Sequence, residues 1–138
     1  MASKSSATSS KPARDVEKAL LTTNLAAIVA FSAPAVISPG HWHNLVFGEK
    51  QPRNQNMNQF WTMAMTTAGA AGQIVANSDD KKAKKNMLKL MGAAWCTGAA
   101  MQLNNVRRGE QRREATFAGS GVQAALGATL LWAGFCKD

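Results

Sequence analysis

The placement of charge constrains this chain most tightly. Past the first eighteen residues, acidic and basic side chains gather in short runs and leave four long stretches almost free of them. These stretches cover residues 19–38, 58–77, 86–106 and 117–136, and Lys89 is the one charged residue inside any of them. Twenty helical residues rise about 30 Å, the thickness of a bilayer's hydrocarbon core. The pattern predicts an all-α chain: a four-helix integral membrane bundle with short polar loops. A Ser- and Lys-rich segment over residues 1–13 precedes it and reads as a disordered basic tail.

Lys and Arg together number 16 against 8 Asp and Glu, and their positions give that excess its meaning. They collect in the breaks between apolar stretches, as Lys81, Lys82, Lys84 and Lys85, then as Arg107, Arg108, Arg112 and Arg113. A nucleic-acid interface would instead spread cations along one structured face with aromatics interleaved. Here Trp42, Trp61, Trp95 and Trp132 sit within or beside apolar stretches, so nucleic acid is not expected as a partner. The basic runs fit lipid headgroups, with Lys81, Lys82, Lys84, Lys85, Arg107 and Arg108 as the candidates.

The two middle stretches are rich in Ala, Gly, Thr and Met, and by hydropathy they are marginal spans. They are expected to bury themselves as a central hairpin, over residues 58–106, about the polar hinge at 77–85. The outer stretches are expected to be apolar enough to face lipid. Ala64, Ala68, Gly72 and Ala76 recur every fourth residue, as do Gly121, Ala125, Thr129 and Ala133. Such rows of small side chains let helix backbones approach closely. Ser78, followed by two Asp, reads as the N-cap of a helix running to about Val106. Gln102 and Gln123 fall at similar depth and are expected to hydrogen-bond.

Few residues suggest chemistry. His41 and His43, in an extended stretch, would point the same way and could hold a metal or a pigment. No third ligand type lies nearby, so no metal site is predicted, and the rival reading is an interfacial turn with Trp42 in an aromatic belt. Cys96 and Cys136 read as small apolar fillers too far apart to bridge. No phosphate-binding glycine loop, no paired carboxylate in an apolar stretch and no nucleophile beside a base is present in the sequence.

The first stretch is closed by Pro39 and followed by an aromatic segment at 41–47. The second ends in Asn77-Ser78-Asp79-Asp80, and two more follow. In this order of parts the chain resembles small four-helix membrane families of the DoxX-like and ergosterol-biosynthesis-28-like kind. Families of that kind are mostly scaffolds or proteins of unknown role, so the resemblance implies little about activity; the missing catalytic motifs are what speak against an enzyme. The expectation is a scaffold or accessory subunit of a larger membrane complex, touching the bilayer and other subunits or its own copies. A pigment-, quinone- or lipid-binding subunit, or a soluble basic bundle with an acidic partner, are the alternatives. No cofactor is predicted, though a pigment or lipid would fit the second reading. Counting basic residues by side gives ten against six, and the positive-inside rule puts both termini in the cytoplasm, stroma or matrix.

Overall fold

The computed structural model describes residues 15–48 and 51–136, so the predicted tail at 1–13 lies outside the described residues. Five helices follow one another: α1 (Val16–Ile37), α2 (Pro39–Val46), α3 (Gln55–Ala76), α4 (Lys81–Arg107) and α5 (Arg113–Cys136). Among the described residues there is no strand, only an isolated antiparallel bridge between Phe47 and Gln111. The all-α prediction holds. The extra element is α2, where a turn was expected.

Local chemistry sets most boundaries. The side chain of Asp15 caps α1 by accepting from the Lys18 N–H at 2.9 Å, and Asn54 caps α3 by accepting from Met57 at 3.0 Å. Helix α1 runs through Pro34 and stops at Ile37, because Pro39 cannot continue its hydrogen-bond ladder but suits the first position of α2. The cap of α4 is Asp80, whose carboxylate accepts from Ala83 at 2.9 Å, and not Ser78. Ser78 instead donates back to the Val75 carbonyl at the end of α3.

The helices pack as two pairs. Helix α4 lies along α5 and α1 lies along α3, while a smaller contact between α1 and α4 joins the pairs. This corrects the expected central hairpin, since α3 and α4 touch only sparsely. The reason is which way α3 turns its small face. Its buried residues are Gly69, Gly72 and Ala76, and a methyl added at Gly69 would meet Leu25 and Ile28 of α1, so the close approach is made with α1.

The α4–α5 seam is closest at glycines. A methyl group added at Gly92 would stand 2.8 Å from the Gly127 carbonyl oxygen, and one added at Gly127 would stand 2.9 Å from that of Gly92. Gly72 differs: a methyl there would find its nearest neighbours, on Met87, Asn24 and Leu21, at 3.9–4.0 Å. Gly92→Ala and Gly127→Ala should each cost about 1–3 kcal/mol through overpacking. Gly72→Ala should be neutral or stabilising by about 0.5–1 kcal/mol through helix propensity. Thermal unfolding followed by helical circular dichroism checks this, and equal effects at all three positions would refute the close crossing.

Candidate functional site

Polar side chains inside the bundle are the first candidate. Asn24 is 0 % exposed, and Ser32, Lys84, Thr116, Ser120 and Gln123 are also buried. At mid-bundle the Trp95 indole N–H donates to the Asn24 side-chain oxygen at 2.7 Å, tying α4 to α1. Phe31 packs edge-on against the same indole, with ring centroids 5.5 Å apart. The Asn24 amide nitrogen has no partner and faces the space beside Gly72. Further along the α4–α5 seam, Ser120 donates to the Gln102 amide oxygen at 3.1 Å. This replaces the expected Gln102–Gln123 bond. The Gln123 oxygen lies near Gly98 without a donor.

One end of the bundle gathers the start of α1, the start of α4 and the end of α5. There the Lys84 ammonium, buried, donates to the Asp15 carboxylate. That bond, and then the Lys18 backbone N–H, holds the Asp15 carboxyl below its ordinary 3.8. Lys84 therefore leaves the set of lysines predicted to meet headgroups, while Lys81 and Lys82 are exposed. Lys89 lies with its stem against Gly134 and its ammonium 4.5 Å above the Phe135 ring.

The opposite end carries the two histidines. They lie in α2, and residues two apart on a helix point to different sides. His43 binds the Gln51 carbonyl through Nε2 at 3.0 Å and stacks on Phe47 at 5.0 Å, whereas His41 is exposed. The predicted convergence of the pair thus fails, because the segment is helical and not extended. Trp42 packs against Phe47 and Trp61, at 5.5 and 6.1 Å between centroids, and so couples α2 to α3. The Arg112 backbone N–H donates to the Val46 carbonyl and its side chain to that of Phe47, which ties this cap to the loop before α5. Arg107 and Arg108 are exposed here, and Arg108 pairs with Glu110 at 2.8 Å.

Of the small-residue rows, Gly72 and Ala76 are buried, Ala68 is half-buried and Ala64 is exposed. Gly121 and Ala125 face outward, and nothing lies within 4 Å of a methyl added at Gly121. The seam of α5 runs instead through Thr116, Ser120, Gln123, Gly127 and Leu130. Both cysteines are free, Cys96 against Gly127 and Cys136 exposed. Among the described residues no three His, Cys, Asp or Glu side chains gather as a metal site would require.

Sequence reasoning missed the Asn24–Trp95 bond and the Asp15–Lys84 pair. Asn24 is the only side-chain amide in the first apolar stretch, a visible signal, but its partner lies 71 residues away. Comparison with protein-family models, with curated proteins and with solved structures returns no match.

Two outcomes are expected. Trp95→Phe leaves the Asn24 oxygen buried without a donor and should cost about 1–3 kcal/mol. Adding Asn24→Leu to it should cost less than the two single losses summed, a coupling that a double-mutant cycle reads. Folded Asp15 gives up its proton more readily than unfolded Asp15, so its contribution is fully present above pH 3.8 and fades as pH falls below that value. Asp15→Asn should flatten that part of an acid-unfolding curve.

Proposed function

We propose that this is a small integral membrane protein that crosses the bilayer four times, through α1, α3, α4 and α5, with α2 at one interface. Its role is that of a non-enzymatic scaffold or accessory subunit within a larger membrane assembly. The observation that carries this reading is the number of large apolar side chains on the outside. Asn24, Ser32, Ser120 and Gln123 lie in the seams beside a small core of Leu21, Ile28, Leu88, Met91, Trp95 and Leu130, while many other large apolar side chains point outward. Ile74 is 74 % exposed, Phe60 and Phe135 each 66 %, and Leu90, Leu103 and Phe117 are exposed with them. A water-soluble bundle of this size hides such residues; a bilayer solvates them.

The outward apolar residues also form a charge-free band, close in height to the hydrocarbon core of about 30 Å along α5 and shorter along α3 and α4. From Phe60 to Ile74 along α3, and from Leu90 to Leu103 along α4, the rise is about 20 Å, and from Phe117 to Phe135 along α5 it is about 27 Å. No Asp, Glu, Lys or Arg interrupts these intervals. By length and composition α1 alone among the described residues is apolar enough for a membrane span. The last stretch, expected to qualify too, falls short. Ser120 and Gln123 dilute α5, yet both are buried against α4, so a linear scale counts against α5 groups that lipid would not meet.

In this reading the partners are the lipid bilayer and other membrane subunits or further copies of the chain. The outward faces bearing Ala64, Gly121 and Ala125 supply close-approach surfaces. No pigment or other cofactor is assigned to His41 and His43, which do not converge. Both termini lie on the cytoplasmic, stromal or matrix side, since more basic residues flank that end. Carbonate extraction of tagged full-length chain tests the proposal. Retention in the membrane pellet is expected. Release into the supernatant would overturn the four spans and leave a soluble basic bundle.

A further inference from the structure

We infer that the end of the bundle bearing Lys81, Lys82 and Lys89 is a seat for anionic phospholipid headgroups. The inference rests on the bilayer reading and adds to it a lipid class and a location. The first support is depth. Lys81 lies about 12 Å along α4 from Lys89, and Lys82 about 10 Å, farther than the roughly 5–8 Å depth of a headgroup layer, so with Lys89 at its inner edge the other two stand at its aqueous face. Lys89 marks the inner edge of that layer independently: its stem lies on Gly134 and its ammonium sits over the exposed Phe135 ring, with the apolar band beginning beside it at Leu90. A lysine reaching along apolar surface to a phosphate adopts this posture. Lys82 and Lys89 lie two turns apart on the same side of α4, so together they offer cations across the thickness of the layer.

The second support is the state of the neighbouring acids. Asp15 is taken up by buried Lys84, and one Asp80 oxygen is held by the Ala83 N–H as the helix cap. Among the described residues, Glu17 and Asp79 are the other carboxylates at this end. Neither they nor Asp80 forms an ion pair with Lys81, Lys82 or Lys89, and Lys85 is held by contacts of its own. The arginine end differs. Arg108 is paired with Glu110 and Arg112 is tied to the Phe47 carbonyl, so part of its charge is spent within its own loop.

The test is native mass spectrometry of the detergent-purified full chain, titrated separately with phosphatidylglycerol, phosphatidylcholine and inorganic phosphate. Preferential retention of phosphatidylglycerol is expected. Each lysine contributes a factor of about five near an anionic surface, so Lys81→Gln/Lys82→Gln/Lys89→Gln should lower that retention at least ten-fold. Arg107→Gln/Arg108→Gln should leave it unchanged. Should the triple variant lose helicity, Lys81→Gln/Lys82→Gln, which touches no packed stem, should still lower retention several-fold. Equal retention of the two lipids, displacement of phosphatidylglycerol by free phosphate, or sensitivity only to the arginine variant would overturn the inference. Failure of the bilayer reading shows separately, as release by carbonate.

Discussion

One hydrogen bond, from the Trp95 indole to the Asn24 amide, sits where the two helix pairs of this protein meet. Helix α1 brings α3 with it and α4 brings α5, so the register between the pairs is set where α1 meets α4. A bond at 2.7 Å between side chains that are both buried permits one register. Sliding α1 by a turn would strand an indole N–H and an amide oxygen away from water, at a cost comparable to several apolar contacts. The Asp15–Lys84 pair repeats the constraint at one end of the same two helices. Between them, Leu21, Leu88 and Met91 fill the space but select no register by themselves.

The polarity of the seams explains why the helices associate at all if lipid surrounds them. Where the medium is as apolar as the side chains, burying Leu or Phe gains little, and close backbone packing and interhelical hydrogen bonds take over. Gly92 and Gly127 supply the first in the α4–α5 pair, and Ser120 with Gln102 the second. In the α1–α3 pair, Gly69 and Gly72 let α3 settle onto Ile28 and Leu21. The cap at the far end, Trp42 with Phe47 and Trp61, is an aromatic cluster that joins α2 to a long helix.

Much of the helical content was legible because charge and capping residues punctuate it: Asp15, the proline at 39 and the aspartates at 79 and 80 mark ends that the structure keeps within a few residues. The pairing of helices was not legible. Four-residue spacing identifies a row of small side chains, but every helix of this composition carries several such rows, and periodicity does not say which faces a neighbour. In α5 the row through Gly121 and Ala125 faces outward, and the row through Ser120 and Gly127, close beside it, forms the seam. Long-range partners such as Asn24 and Trp95 leave no spacing rule to read. For the histidines, the alternation of an extended strand gave way to the helix that Pro39 starts.

A core assembled from Gly, Ala, Ser and a few branched or aromatic side chains has a consequence for the entropy of folding. Glycine and alanine have no rotamers to lose, and serine, leucine and isoleucine lose few. Among the described residues, Met57, Met63, Met101, Lys81, Lys82, Arg107 and Arg108 stay on the outside, where they keep their internal freedom, while Met91, Lys84 and Gln123 are long flexible side chains that the interior does order. Ordering this interior therefore freezes few side-chain torsions. Modest seams of glycine and single hydrogen bonds can hold it together without a large bulky core.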